Sequence, residues 1–217
     1  MTERLLFLIR HGRSDFSSTD LTKTPRGSQW DPPLGPEGRE QADLLARRLV
    51  LLPSPAVVYC SPFRRCRETV APFVRLTGSE VRYVDDLGEF FVGEWEGRPF
   101  EEIVGNDAEM LRLYRGQEPM WHLAPGGEEL DAFRRRVVAA IDGILAADAE
   151  GDVVVVVHGG VINAYIAPIL GLHEADMFFL PENTSVNTVI VDGDARRVRF
   201  LSDTRHLTEP AFFAPEA

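Results

Sequence analysis

The sequence predicts an α/β fold in three layers, α/β/α, with a mostly parallel central sheet and helices on both faces. Three observations carry that prediction. Strand and helix signals alternate along the chain. Two runs, Leu5-Leu6-Phe7-Leu8-Ile9 and Val153-Val154-Val155-Val156-Val157, are apolar throughout, as strands covered on both faces are. Each run ends in His-Gly, as Arg10-His11-Gly12 and as His158-Gly159-Gly160. In open sheets of this kind ligands bind beyond the carboxyl ends of the strands.

The elements follow in order. Residues 5–10 read as a buried strand and 11–35, polar and rich in Ser, Thr, Pro and Gly, as a long loop. From Pro36 to Leu51, Ala42, Leu44, Leu45 and Leu49 share one helical face. Pro36 suits the first turn, and Glu37 sits near the positive end of the helix dipole. Pro53 and Pro55 stop that helix, and 56–60 forms a short strand. Residues 63–76 are helical, with Pro72 expected to end or kink the helix. A strand at 81–84 precedes helical pieces around Gly105, and Gly126-Gly127 introduces an amphipathic helix over 128–147. The valine strand, a helix over 161–170, and a hairpin of 185–191 with 196–201 turning at Asp192-Gly193-Asp194 complete the chain. No linker or internal repeat divides residues 1–217, so one domain is expected, with 15–33 and the tail after Leu207 its least ordered segments.

Composition narrows the function. The 217 residues suffice for one large core, and 44% hydrophobic with 26% charged residues is ordinary for a soluble globular protein. A net charge of -11 repels polyanions, which argues against nucleic acid and anionic membrane as partners. It also makes a local cluster of Arg and His notable. Cys60 and Cys66 are too far apart for a CxxC motif and lack a His/Cys cluster, so no zinc site is expected and both read as reduced packing residues. The first apolar run is too short for a signal peptide or a membrane span, and the expectation is a cytoplasmic protein. Oligomeric state, a homodimer included, is not written in the sequence.

Four segments can carry chemistry. Arg10-His11-Gly12 offers an imidazole nucleophile, neutral near pH 7, beside a planar cation for phosphoryl oxygens. Alone, it is equally a strand-end His beside a surface Arg. Ser61-Pro62-Phe63-Arg64-Arg65-Cys66-Arg67 opens a helix, whose first N–H groups favour anions. Arg64 and Arg65 point in different directions, so one of them enters a site. Leu87 to Gly97 sets Glu89, Glu94 and Glu96 among aromatics and glycines. A carboxyl held among rings has a raised pKa and can donate a proton near neutrality, but spacing does not choose among the three. Gly159 and Gly160, after His158, let backbone approach a ligand closely. His122, His173 and His206 have no comparable setting and read as structural.

Taken together these segments resemble the histidine phosphatase superfamily, the phosphoglycerate mutase-like enzymes. The resemblance rests, in order, on LFLIRHGRS, PPLGPEGREQADLLARRL, VYCSPFRRCRETV, LGEFFVGEWEG, PGGEELDAFRRRV and VVVVHGGVI. It implies a phosphoglycerate mutase-like fold and a metal-independent phosphatase that needs no cofactor and acts on a small phosphorylated metabolite. It further implies His11 as nucleophile, Arg10 and Arg65 as phosphate clamps, Glu89 as proton donor, and His158 as the second imidazole on the phosphoryl group. Two positions depart from the family pattern: Arg13 stands where Glu or Gln is common, and Ser17 where Asn is common, leaving Ser17 one hydrogen bond to offer a phosphate. The 15–33 stretch is also unusual, although Gln29 and Asp31-Pro32-Pro33-Leu34 keep part of the pattern.

Three rivals remain at this stage. A cofactor-dependent phosphoglycerate mutase would resemble its family in a Tyr-Gly-x-Leu-x-Gly segment, where this chain has Gly93-Glu94-Trp95-Glu96-Gly97-Arg98. A weakly catalytic phospho-ligand-binding protein would not need His11, Glu89 and His158 together. A dinucleotide oxidoreductase would need G-x-G-x-x-G after the first strand, which is missing. Trp30, Phe91, Trp95 and Trp121 are candidates for a cleft wall and equally for core. All readings of the site reduce to one geometric demand, that the imidazoles of residues 11 and 158 converge on a single tetrahedral oxyanion.

Overall fold

A computed structural model describes residues 3–52, 57–105, 108–115, 120–148, 150–172 and 177–209. The strands are β1 (Arg4–Arg10), β2 (Leu21–Thr24), β3 (Gly27–Trp30), β4 (Val57–Cys60), β5 (Val81–Tyr83), β6 (Val153–Val157), β7 (Val186–Asp192) and β8 (Ala195–Asp203). The helices are α1 (Pro36–Val50), α2 (Arg64–Thr77), α3 (Phe100–Val104), α4 (Ala108–Arg115), α5 (Leu130–Ala147), α6 (Gly159–Ile169) and α7 (Arg205–Thr208). The main sheet runs β5-β4-β6-β1-β7-β8. Its first four strands are parallel, and β7 and β8 join antiparallel.

Why the two apolar runs are continuous is visible in β1. Leu6 and Leu8 pack with Val137 and Ile141 of α5 and Ile162 and Ile166 of α6. Phe7 and Ile9 pack on the other face with Leu45 and Leu49 of α1 and Val70 and Phe73 of α2. Valines 153–157 divide the same way and are fully buried. Each buried side chain of this size contributes about 1.5–3 kcal/mol, so the central strands, which end at the site, are the most firmly held part of the sheet. Among the described residues no helix is long and apolar enough to cross a membrane.

Several expectations change. The 11–35 loop contains a hairpin, β2 with β3, paired from Leu21↔Trp30 to Thr24↔Gly27. The turn chemistry is local: Pro25 and Arg26 sit at its tip, and Thr24 Oγ1 accepts the Arg26 N–H at 3.2 Å. Gly27 has φ +140°, and a side chain there would meet the Phe91 ring at 2.9 Å. Lacking apolar alternation, this hairpin gave no periodic signal. Helix α2 runs through Pro72 to Thr77 and ends at left-handed Gly78. Pro72 removes one helical donor, but Cys66, Thr69, Val70 and Phe73 around it are buried, and that packing holds the helix together. Helix α5 starts two residues late, at Leu130, and α6 two residues early, at Gly159. The small helix α7 was not expected. Residues 53–56, with Pro53 and Pro55, and the tail from 210 lie outside the described residues.

The turn after β1 lies flat on α1. A Cβ on Gly12 would come 2.7 Å from Gly38 O, and one on Gly38 would come 2.1 Å from Arg13 O. Gly38→Ala should therefore push this turn off the helix and cost about 1–3 kcal/mol. Urea unfolding beside the parent protein checks this, and an unchanged midpoint would contradict the close approach.

Candidate active site

Three neighbouring strands deliver polar side chains to one edge of the sheet. His11 follows β1, and its N–H donates to Val157 O at 2.9 Å. Ser61 follows β4, and its N–H donates to Val156 O at 2.9 Å. His158 follows β6 and occupies the N-cap of α6. The rings of His11 and His158 stand edge to face with centroids 5.3 Å apart, so the two imidazoles are neighbours at this edge. His158 Nε2 pairs with Ser61 Oγ at 2.8 Å, and Phe63 stands edge-on to the same ring at 5.0 Å. Cys66 Sγ lies 3.6 Å from His158 Nε2; both cysteines are buried and free, as expected.

The His11 tautomer follows from its partners. Nδ1 lies 2.8 Å from the Gly12 carbonyl, which can only accept, so Nδ1 carries the proton and Nε2 keeps its lone pair. Arg65 Nε donates toward that lone pair at 3.3 Å. Burial, then the Arg65 and Arg10 charges, hold the His11 imidazole well below its usual range. Burial and Arg65 do the same to His158. Both rings are thus neutral in the physiological range.

Of the predicted cations, two enter. Arg65 is buried in the first turn of α2, with its guanidinium 4.7 Å from the centroid of the Phe63 ring and Nη1 donating to Trp30 O at 3.0 Å. Arg10 donates through Nη1 to Pro181 O at 2.5 Å, while its Nε is buried without a partner among the described residues, beside Gly159. Burial lowers the Arg10 pKa, and Glu89 and Glu182 push it back up. Arg64 turns outward to Glu68 and Asp20, and Arg13 is exposed near Glu37. Ser17 departs from expectation. It is exposed, and its N–H and hydroxyl both donate to Asp15 Oδ1, at 3.0 and 2.6 Å, because a Ser two residues past an Asp closes a local turn.

The structure separates the three glutamates. Glu89 Oε2 accepts the Gly160 N–H at 3.1 Å and Oε1 the Phe90 N–H at 2.9 Å, which sets its carboxyl at the start of α6, two residues from His158. Burial raises the Glu96 pKa, yet Glu96 is spent on the N–H groups of Trp30 (2.7 Å) and Val92 (3.0 Å), tying the hairpin to this segment. Glu94 is exposed. The start of α2 is not an open anion site: both Asp31 carboxyl oxygens accept the Arg64 N–H, at 2.8 and 2.9 Å. Asp31 also lies 3.5 Å from Arg65 Nη1. Trp95 and Trp121 pair at 6.4 Å, and Trp95 packs on a small cluster with Val104, Leu113 and Met120.

Comparison with known proteins agrees with this geometry. Residues 6–204 match the family model described as histidine phosphatase superfamily (branch 1), and the chain belongs to that superfamily. Within it most of the similar curated proteins bear phosphatase names. A metal-independent phosphoserine phosphatase of Arabidopsis thaliana is 27% identical over 95% of this chain and 84% of its own. An adenosylcobalamin/alpha-ribazole phosphatase of Escherichia coli is 30% identical over 77% of this chain and 79% of its own. The solved alpha-ribazole phosphatase of Shigella flexneri superposes with a TM-score of 0.74 at 26% identity, over 92% of this chain and 96% of that one. The phosphoglycerate mutase-like fold is therefore the observed one.

Sequence reasoning missed the supports of His11 and His158. Ser61, placed by sequence only at the opening of a helix, is the partner of His158 Nε2. Asn183 Nδ2 donates to His11 O at 3.0 Å, and the Thr184 N–H donates to Arg10 O at 3.0 Å. Thr184 holds φ +55°, costly for a β-branched residue, which marks this strap as over-determined by its surroundings. Behind it, buried His206 donates from Nε2 to Thr184 Oγ1 and accepts from Arg48 at Nδ1, both at 3.2 Å. The polar run Glu182-Asn183-Thr184-Ser185 before an apolar strand was the available signal. His206 is structural as expected; His173 lies outside the described residues.

Burial, with the Arg48 charge, brings the His206 pKa down to about 4, alongside the lowered values of His11 and His158. An unfolded chain takes up protons on these rings near pH 6.5 while the folded one does not, so stability falls as pH drops below about 6.5. The urea midpoint should decline steadily from pH 7 to pH 5, and His206→Gln should flatten the decline. A midpoint constant over that window would refute the burial of neutral rings.

Proposed function

We propose that this protein, a phosphatase of the superfamily, hydrolyses small phosphate monoesters through a phosphohistidine formed on His11. The observation that carries the reading is the unprotonated Nε2 of His11, whose partner is the Arg65 guanidinium and whose ring stands beside that of His158. A phosphoryl group entering there would accept from Arg65 and from the unpartnered Arg10 Nε, freeing the Nε2 lone pair to attack.

The steps balance as follows. Nε2 forms a bond to phosphorus as the ester P–O bond breaks, and the departing alkoxide takes a proton from Glu89. Water then attacks the phosphoryl group on His11, its proton passes to Glu89, and the N–P bond breaks to give inorganic phosphate and free His11. Arg10, Arg65, His158 and the backbone at Gly159 meet the charge that builds on the non-bridging oxygens. All the positive charge in this scheme comes from side chains. The 87–97 segment and the phosphatase names of most similar curated proteins favour hydrolysis over phosphoryl return to a second hydroxyl. The expected partner is a small phosphorylated metabolite.

His11→Ala should abolish both turnover and acid-labile labelling of the protein by a ³²P-ester; persistent hydrolysis in this variant would sink the assignment. Gly160→Ala provides an independent check on Glu89. A Cβ at 160 would sit 2.4 Å from Glu89 Oε1, so the carboxyl must move. Turnover of alkyl phosphates should drop by about 10²-fold with little change in melting temperature. Full activity in this variant would show that Glu89 need not stand where it does.

A further inference from the structure

Behind Glu89 lies a buried ion pair that the proposed chemistry does not use. Arg136 on α5 and Glu128 just before it are 12% and 9% exposed. The guanidinium grips the carboxylate with two bonds, Nε to Oε1 at 2.6 Å and Nη2 to Oε2 at 2.8 Å. Its remaining donors all go to main-chain carbonyls around Glu89. Nη1 donates to Asp86 O at 2.7 Å and to Gly88 O at 2.8 Å, and Nη2 donates to Glu89 O at 3.1 Å. All five N–H groups of one arginine are thus spent, two of them in a bidentate fork on the carboxylate that lysine cannot copy.

The carboxylate side completes the grip. Glu128 Oε2 accepts the Phe91 N–H at 3.4 Å, and the Glu128 N–H donates to Phe91 O at 2.8 Å. Gln29 of the hairpin adds a bond from Nε2 to Glu89 O at 3.2 Å. The Arg136 guanidinium also stacks over Phe133, 4.7 Å from its centroid, and Phe133 meets Phe90 edge to face at 5.2 Å. The main chain is therefore fixed at 86, 88, 89 and 91, on both sides of one half-buried side chain. A buried ion pair is weak evidence for stability, since apolar residues of equal volume often serve as well. Directed carbonyl bonds instead fix where the Glu89 Cα lies and hence where its carboxyl can reach.

We propose that Arg136 and Glu128 are positioning residues for proton transfer by Glu89, acting through the main chain of residues 86–91. This rests on the reading of Glu89 as proton donor to the leaving group. A device of that kind has a signature that a purely structural pair lacks. Protonation matters when the leaving group is a strongly basic alkoxide and hardly at all for 4-nitrophenolate.

The test compares kcat/KM for an alkyl phosphate and for 4-nitrophenyl phosphate in Arg136→Lys, Glu128→Gln and Glu89→Gln. Arg136→Lys keeps the charge and loses the fork; Glu128→Gln keeps the shape and supplies a second route if the first variant folds poorly. Both should lose about 10–10²-fold on the alkyl ester and less than about threefold on the aryl ester. Combined with Glu89→Gln, Arg136→Lys should add almost no further loss on the alkyl ester, since residues acting as one unit are non-additive. If Glu89→Gln shows the leaving-group split and the other two variants lower both esters equally, or neither, the positioning role is overturned while the proton-donor reading stands. If Glu89→Gln itself shows no split, the proton-donor reading fails, and the inference falls with it.

Discussion

The site depends on the register between two parallel strands. β1 and β6 are neighbours, with Arg10 opposite Val157. The next rung on each strand is a histidine. Adjacent strands stand about 4.8 Å apart, so in-register residues just past their ends meet without any further device. The ring separation of 5.3 Å is close to that spacing. A slip of one residue would turn one of the two rings to the opposite face. What prevents the slip is the burial of both strands on both faces. Leu6 and Leu8 answer to α5 and α6, Phe7 and Ile9 to α1 and α2, and neither set can change sides.

The site is also an electrostatic arrangement. Buried Arg65 and half-buried Arg10 flank two buried imidazoles; burial and these charges hold the rings neutral, and Glu89 and Glu182 offset the burial of Arg10. Both helices that start here are closed by acids, α2 by Asp31 and α6 by Glu89. The groups left to meet an anion are therefore side-chain cations more than free helix termini. On a chain with net charge -11, that cluster is the local exception an anionic ester requires.

Around this centre the supports come from distant parts of the sequence. The hairpin β2–β3 reaches Glu89 through Gln29 and is itself tied back by Glu96 through the Trp30 N–H. The strap at Asn183 and Thr184 holds the carbonyls of Arg10 and His11 from the other side. His206 in the last described helix braces that strap. The segment carrying Glu89 is fixed from α5. Most of these supports fix main chain, so the functional side chains inherit their positions largely from the backbone.

Much of this was legible in the residues alone. The runs Leu5–Ile9 and Val153–Val157 can be buried only as central strands, so they determined the sheet and the end of it where His11 and His158 emerge. Periodicity set α1 and α5, and helical geometry required Arg64 and Arg65 to point apart, while the folded chain showed Arg65 to be the inward one. Other features belong to tertiary structure, because they depend on partners far away in sequence. The 21–30 hairpin lacks an apolar face and exists through its turn and its contacts with Phe91, Glu89 and Glu96. Pro72 was outvoted by the packing of α2. Ser17 was claimed by its neighbour Asp15. The choice of Glu89 over Glu94 and Glu96 needed the position of Gly160, since three carboxyls in eight residues share the same local chemistry. Sequence fixes which groups are available and which face of an element they lie on; only the folded chain decides which of them are already satisfied by a partner and which remain free to act.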